Sequence, residues 1–65
     1  SRLEAALARL PDVQRRTFLL AAVHGQPLEA IAAGDGVAVG TVKSRLHRAR
    51  AELATILDLD EGGLP

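Results

Sequence analysis

The run Gly40-Thr41-Val42-Lys43-Ser44-Arg45-Leu46-His47-Arg48-Ala49-Arg50 decides the fold of this chain, because it places apolar residues at helical spacing within a cluster of positive charge. It contains four of the eight Lys and Arg residues in the sequence. Projected at about 100° per residue, the apolar side chains fall in one narrow stripe that continues beyond the run. The stripe consists of Val42, Leu46, Ala49, Leu53 and Ile56. The opposite side carries Gly40, Ser44, His47 and Arg48, with Lys43 and Thr41 beside them. We therefore predict an amphipathic helix with one buried face and one basic, exposed face.

Length and composition limit the chain to one small all-α domain. A chain of 65 residues buries only a modest core. Ala and Leu, which favour helix, supply most of its apolar residues, and Phe18 is the only aromatic one. No run of alternating β-branched residues predicts a strand. The chain has no Cys, so neither a disulfide nor a thiolate metal site can supplement the core.

Charge is distributed unevenly along the chain, although the formal net charge is zero. A zero sum argues weakly against binding to nucleic acid. However, no basic residue follows Arg50, and the acidic residues Glu52, Asp58, Asp60 and Glu61 come after it. Because local charge governs an encounter with phosphate more than the sum does, the basic run remains a candidate nucleic-acid interface.

Spacing and capping signals predict four helices, at about residues 2–9, 11–24, 27–34 and 39–57. Ser1 and Glu4 have the form of a capping box, and Pro11 and Pro27 suit the first turns of the second and third helices. Gly25 fits the position that follows the second helix. The inner faces of the first three helices are predicted to be Leu3, Leu7 and Leu10; Val13, Thr17, Phe18, Leu20 and Ala21; and Leu28, Ile31 and Ala32.

The third and fourth predicted helices form a helix-turn-helix unit, because a short turn with Gly joins them and the second of the two is basic. Ala32, Gly36 and Val42 match the small residue at the helix contact, the turn glycine and an apolar residue of the second helix. The predicted domain covers residues 1–57 and has no wing. Residues 58–65 are an acidic tail that we expect to be frayed and disordered.

Motifs at defined spacing extend along most of the chain. They are Leu10-Pro11, Gln14-Arg15, Phe18-Leu19-Leu20, Gly25, Leu28-Glu29, Ile31-Ala32 and the run from Val39 to Arg50. Together they resemble region 4 of bacterial RNA polymerase sigma factors, and most closely the extracytoplasmic-function (ECF) group of the sigma-70 family. The resemblance covers residues 3–54, and a generic helix-turn-helix would not require the basic run in that spacing.

The resemblance implies a function in transcription initiation. In this family the last helix of region 4 recognises the minus-35 element of promoter DNA, and the domain docks on the β-subunit flap of the RNA polymerase core. In many of these factors an anti-sigma factor sequesters the same domain. A whole sigma factor also has region 2, which reads the minus-10 element and melts DNA. This chain lacks it, and we expect it to be the C-terminal DNA-binding domain excised from a longer factor.

The chain departs from the family pattern at Gly34-Asp35, because the family usually has an apolar residue at the position of Asp35. A carboxylate that is buried there without a partner is costly. Gly34 also weakens the helix end by about 1 kcal/mol relative to Ala. We therefore expect the third helix to end early, with Asp35 turned outward to cap the following segment.

The predicted DNA-contacting residues lie on the fourth helix, with one addition from the second. They are Thr41, Lys43, Ser44, Arg45, His47, Arg48, Arg50 and Arg15. Arg48 and Lys43 are the best candidates for guanine O6 and N7, and Ser44 is small enough to bring the helix close to the bases. The general alternative is a solvated helix face, and the family resemblance favours DNA contact over it.

Several of these residues also have specific alternatives. Thr41 can bind a phosphate or cap the helix, and the two interpretations are about equal. Arg45 and Arg50 can clamp phosphates or pair within the domain, for example with Glu29 or Glu52. The residues alone do not separate these interpretations.

For other residues, an interpretation without any binding function is as well supported as a functional one, or better. His47 can donate to a base or phosphate, or be an ordinary exposed histidine. Arg15 and Arg16 can contact the DNA backbone at the flank of the site, and solvation is favoured for at least one of them. Three apolar residues of the second helix can line a surface for the β flap or an anti-sigma factor, although core packing is favoured for most: Leu19, Leu20 and Val23.

No catalytic, cofactor or metal constellation is present in the sequence, so we expect no enzyme activity, no cofactor, no metal and no small-molecule substrate. Ser44 and His47 lie one turn apart but lack an orienting acid. Two other functions compete with promoter binding: an interaction module held by an anti-sigma factor, and a response-regulator-type helix-turn-helix output domain. Nothing resembles a signal peptide or a span of about 20 apolar residues, so we expect a cytoplasmic protein with no membrane partner.

Overall fold

The structure, a computed structural model, describes residues 1–60, except for the side chain of Asp60. Within that range the chain is all-α, as predicted, with four α-helices and no strand. The helices are α1 (Arg2–Ala8), α2 (Asp12–Phe18), α3 (Leu28–Asp35) and α4 (Val39–Asp60). A π-helical segment, Leu19–Val23, continues α2 directly.

The start of α1 confirms the predicted capping box. The Ser1 hydroxyl accepts a hydrogen bond from the backbone N–H of Glu4 at 3.2 Å. The Glu4 carboxylate in turn accepts from the N-terminal ammonium of Ser1 at 2.8 Å. Two N–H groups that have no partner within the helix are thereby satisfied. Pro11 and Pro27 stand one position before α2 and α3, as their N-caps.

Two glycines end helices in the left-handed conformation, both with φ of +68°. Gly25 follows the π-helical segment, and Gly36 follows α3, as the sequence predicted. At Gly36 the chain forms a Schellman motif, in which the N–H of Val37 donates to the carbonyl of Ala32 at 3.0 Å. Val37 packs on the core below, so the turn that connects α3 to α4 is anchored by an apolar contact.

The π-helical segment is a feature that the sequence analysis missed, since it predicted one regular helix over residues 11–24. The N–H of His24 donates to the carbonyl of Leu19 at 3.0 Å, five residues back. The wider turn changes which side chains face inward. Leu19 packs on one part of the core and Leu20 on another, whereas Val23 is 58% exposed.

The core consists of two clusters, and α4 contributes to both. The first cluster joins α1 and the segment after it to the part of α4 that begins at Ala49, through Ala6, Leu7, Leu10, Ala49, Leu53 and Ile56. The second joins α3 to the first half of α4 through Ile31, Ala32 and Val42. All five residues of the predicted α4 stripe are buried, including Leu46 between the clusters. The predicted inner face of α3 is confirmed as well, with Leu28 partly buried.

Some sequence expectations are wrong. Leu3 and Val13 are 42% and 48% exposed, because no neighbouring helix covers the positions that their spacing assigned to inner faces. The third helix does not end early: α3 includes Asp35, whose side chain turns inward instead of capping the next segment. The last helix continues to Asp60, three residues past its expected end, into the predicted tail. The rest of that tail, residues 61–65, lies outside the described residues.

Within the described part of the chain, no helix combines the length and the apolar character that a membrane crossing requires.

Candidate nucleic-acid interface

The first half of α4 presents most of the predicted contact residues to solvent. Six of the eight are exposed: Thr41, Lys43, Ser44, His47, Arg48 and Arg50. The opposite side of the same turns is the buried stripe, where Val42 and Ala49 are 0% exposed. The core therefore fixes the rotation of α4 about its own axis, and the basic side is free to meet a partner.

Helical spacing arranges these exposed residues in lines along α4. Ser44 and His47, three residues apart, share the middle line with Gly40. Thr41 and Arg48 lie on one flank of that line, and Lys43 lies on the other. The middle of the face is therefore small and polar, while its edges are cationic. This arrangement lets a helix approach base edges closely while its flanks reach phosphates.

The start of α4 leaves Thr41 inside the first turn. The carbonyl of Ala38, the residue before the helix, accepts from the N–H groups of Thr41 at 3.0 Å and Val42 at 3.4 Å. Since Ala38 has no side-chain acceptor and Thr41 lies beyond the N-cap, the Thr41 hydroxyl is not the helix cap. It is exposed on the basic face of α4.

Arg45 differs from the other predicted contacts on α4, because it is paired within the domain. Its side chain is 28% exposed, and its Nη1 atom lies 3.5 Å from Oδ2 of Asp35 on α3. Internal pairing of Arg45 was one of the two predicted alternatives, with Glu29 or Glu52 as examples of partners. The partner is Asp35, which α3 brings beside α4 across the turn.

Arg15 is also held within the domain. Its Nη1 donates to the carbonyl of Leu10 at 3.1 Å, and its Nη2 pairs with Asp12 in the first turn of α2. The side chain is 33% exposed. Arg15 therefore ties the start of α2 to the segment after α1, and part of its guanidinium remains accessible.

The pairing of Asp35 with Arg16 is a feature that the sequence did not predict, because Asp35 was expected to turn outward and Arg16 to contact the DNA backbone or solvent. The Asp35 side chain is 13% exposed, and its Oδ1 accepts from Nε and Nη2 of Arg16 at 3.3 and 3.1 Å. The signal that could have found the pair was the unusual carboxylate itself. A carboxylate that is mostly buried needs cationic partners, and two arginines on other helices supply them.

Two shallow grooves each include a predicted contact residue, Arg48 in one and Arg15 in the other. One, of about 260 Å³, lies between α2 and α4 and is lined by Gln14, Arg48, Ala51, Glu52 and Thr55. The Oε1 atom of Gln14 is buried and has no hydrogen-bond partner within residues 1–60. The other groove, of about 330 Å³, runs along α2 and the π-helical segment, lined by Asp12, Arg15, Arg16, Leu19, Leu20 and His24. Over residues 1–60, no three His, Asp or Glu side chains are grouped to hold a metal ion.

Comparison with known proteins finds a family model that matches most of the chain. The model is described as "Sigma-70, region 4", and it matches residues 1–53. The match includes α1, α2, α3 and the basic half of α4, so it covers the whole candidate interface. No solved structure matches the chain.

Curated relatives match over a similar range. The ECF RNA polymerase sigma factor EcfG of Rhodopseudomonas palustris is 46% identical over 56 residues, which cover 86% of this chain and 31% of that protein. SigE of Mycolicibacterium smegmatis is 44% identical over 55 residues, covering 85% of this chain and 21% of that protein. SigM of Mycobacterium tuberculosis is 46% identical over 54 residues, covering 83% and 28%. The chain thus spans less than a third of the length of these relatives.

Proposed function

This chain belongs to the sigma-70 region 4 family, and on that basis we propose that it is the minus-35-binding domain of an ECF RNA polymerase sigma factor. Its family is one of transcription regulators and not of enzymes. The single observation that carries the proposal is the exposed face of α4. Six predicted contact residues lie there, opposite a fully buried stripe.

In the proposed complex the first half of α4 enters the major groove of the promoter. Arg48 and Lys43 donate to guanine O6 and N7, and Ser44 allows the helix to approach closely. His47 donates to a base or a phosphate. Backbone phosphates receive the remaining contacts, from Thr41, Arg45, Arg50 and Arg15. Because few phosphates are neutralised, the isolated domain binds weakly and with strong dependence on salt.

The proposed partners beyond DNA follow from the family. We place the domain on the β-subunit flap of the RNA polymerase core, where it holds the polymerase at the promoter in the cytoplasm. An anti-sigma factor is the partner that would sequester it. The relatives of this chain are named as RNA polymerase sigma factors, and this chain corresponds to a minor part of each.

The experiment that tests the proposal is selection of bound duplexes from a random DNA pool, followed by fluorescence anisotropy at low salt. We expect one enriched sequence. Arg48→Ala should cost about 1–3 kcal/mol of binding free energy and relax the preference at one base pair. Arg2→Ala, which removes the same charge from α1, is the matched control and should retain the preference.

Three outcomes would count against the proposal or part of it. A pool without an enriched sequence would contradict promoter recognition. An equal loss of affinity for selected and random DNA would make Arg48 a phosphate contact. A stable one-to-one protein complex together with no binding to promoter DNA at low salt would favour the alternative of an interaction module held by an anti-sigma factor.

A further inference from the structure

We propose that Asp35 is a positioning residue, which holds Arg16 and Arg45 together as a two-arginine anchor for one backbone phosphate of the bound DNA. The inference rests on the proposed function, because the phosphate belongs to the duplex that α4 reads. It adds Asp35 to the interface and assigns Arg16, for which the sequence left DNA contact and solvation open, to a phosphate contact.

The geometry of the anchor joins three helices at one carboxylate. Arg16 comes from α2 and contacts Oδ1 of Asp35 through Nε and Nη2, at 3.3 and 3.1 Å. Arg45 comes from α4 and lies against the other oxygen, Oδ2, at 3.5 Å. Arg16 therefore donates two of its N–H groups to Asp35, whereas Arg45 forms an ion pair with it and no hydrogen bond. Among the described residues, their other N–H groups have no protein partner.

The position of the carboxylate is unfavourable without these arginines. Asp35 is the last residue of α3, where the negative end of the helix dipole opposes a negative side chain. It is also the only acidic residue between Glu29 and Glu52, in the stretch that contains the turn and the basic face. Its 13% exposure adds a cost of desolvation. Two guanidiniums from separate helices offset these costs and are fixed in return.

The anchor lies at the edge of the recognition face. Arg45 follows Thr41 by four residues and precedes Arg48 by three, so the three side chains share one flank of α4. Arg16 is 60% exposed and lies beside this flank. With two guanidiniums and one carboxylate, the cluster keeps a formal charge of +1. A guanidinium with a free edge is well suited to a phosphate, because its paired N–H donors match two phosphate oxygens.

A simple charge argument makes the opposite prediction, which is what makes the proposal testable. If Asp35 acted only through its charge, its removal would strengthen binding to DNA and steepen the dependence on salt. If Asp35 positions the arginines, its removal lets both side chains move freely, and the ordered phosphate contact is lost despite the gain in net positive charge.

The experiment measures the affinity of Asp35→Asn for the selected duplex over a range of salt concentrations, by fluorescence anisotropy. We expect about tenfold weaker binding, as for the loss of one charge-assisted contact. The slope of log K against log salt should become shallower by about 1, since one phosphate contact is lost. Glu29→Gln is the matched control, because it removes an exposed carboxylate from the same helix. It should leave the slope unchanged or steepen it.

Coupling between the arginines supplies a second measurement, which stands even if Asp35→Asn fails to fold. Arg16→Gln and Arg45→Gln should each weaken binding, and the double variant should be little weaker than either single variant. Non-additivity of this kind is expected when two side chains hold the same phosphate. Circular dichroism of each variant, with and without DNA, separates loss of folding from loss of the contact.

The inference is overturned if Asp35→Asn folds and binds as tightly as the parent chain or more tightly, or if the two arginine variants are additive. Failure of the proposed function looks different. In that case the parent chain selects no sequence, or Arg48→Ala behaves like Arg2→Ala. If the chain selects DNA through Arg48 but Asp35→Asn does not change its affinity, the proposed function is supported and the two-arginine anchor is overturned.

Discussion

The two halves of α4 share one buried stripe but differ in everything that faces solvent. Residues 39–50 hold the four basic residues of the helix and pack on α3 through Val42. Residues 51–60 hold no basic residue and pack on α1 through Leu53 and Ile56. One continuous helix therefore combines a contact half, residues 39–50, with a core half, residues 51–60. The apolar stripe determines which side is buried, and charge distinguishes the exposed sides of the two halves.

The halves also differ in how they are held. The second half packs in the larger cluster of buried residues, where Leu53 and Ile56, together with Ala49 at the end of the first half, meet three residues from α1 and the segment after it. The first half is held by a smaller cluster, by the turn at Gly36 and by the ion pair of Arg45 with Asp35. The contact half is thus held in place by specific backbone and polar features, whereas the core half is held by buried apolar surface. The four predictions that follow test this division.

The largest effect on stability is expected from Leu53→Ala in the core half of α4. Leu53 is 5% exposed within the larger cluster, so its truncation should reduce the free energy of unfolding by about 2–5 kcal/mol. Because the free energy of unfolding of a small domain is about 5 kcal/mol or little more, this variant would lose most of its stability. Thermal and urea denaturation followed by circular dichroism measure this change. Leu59→Ala, at a 62% exposed site in the same half, is the control and should change stability by less than about 0.5 kcal/mol. Equal stability of the two variants would contradict the role of the core half in holding the domain together.

A smaller effect is expected from Gly36→Ala at the turn before the contact half. Since φ is +68° and, apart from the two neighbouring residues in the chain, no described residue lies within 4 Å of the added Cβ, the cost is conformational, about 1–2 kcal/mol. Gly25→Ala meets the same φ and the same free space, so it is a matched control for stability. Measured at a temperature where both variants are folded, DNA affinity should fall only for Gly36→Ala, because Gly36 sets the direction of α4. A loss of DNA affinity in both variants would show that the turn has no special function in recognition.

Thr17→Val should stabilise the domain without changing its affinity for DNA. Thr17 is 0% exposed, and among the described residues its buried hydroxyl oxygen has no hydrogen-bond partner. Replacing it with a methyl group of similar shape removes the desolvation cost, and we expect a gain of about 1 kcal/mol. The melting temperature and the anisotropy titration are the two measurements. A change in DNA affinity would mean that the interior of α2 and the contact half are coupled.

The smallest effect is expected at the boundary between the halves. Glu52 lies one turn after Arg48 and lines the same groove. Glu52→Gln removes a negative charge near the basic face, and we expect binding to DNA to strengthen by less than about 0.5 kcal/mol because water and salt screen the exposed site. Asp58→Asn, farther along α4, is the control and should have no effect. An equal effect of both substitutions would place the boundary of the contact half further toward the end of α4.

The local features of the domain follow directly from the sequence. The period of the α-helix assigns Val42, Leu46, Ala49, Leu53 and Ile56 to one side, and burial of all five confirms it. The left-handed ends at Gly25 and Gly36 are predictable because glycine adopts that conformation at the least cost. The capping box of Ser1 with Glu4 depends only on residues three apart.

Features that depend on which helix covers which position were settled by the tertiary structure. Leu3 and Val13 have apolar side chains at inner-face spacing, yet no neighbour buries them. Arg16 and Asp35 are separated by 19 residues in sequence and meet only because α2 and α3 both pack on α4. The exchange of regular helix for a π-helical segment after Phe18 likewise has no local signal.

The sequence by itself determined that this protein is a set of short helices ending in a basic, amphipathic one, because helical period and capping act over a few residues. Only the tertiary structure decided that Asp35 turns inward between Arg16 and Arg45, which gives Arg45 its partner inside the domain. The physical reason is that a period fixes the direction of a side chain about its own helix axis. The crossing of two helices fixes what that side chain meets.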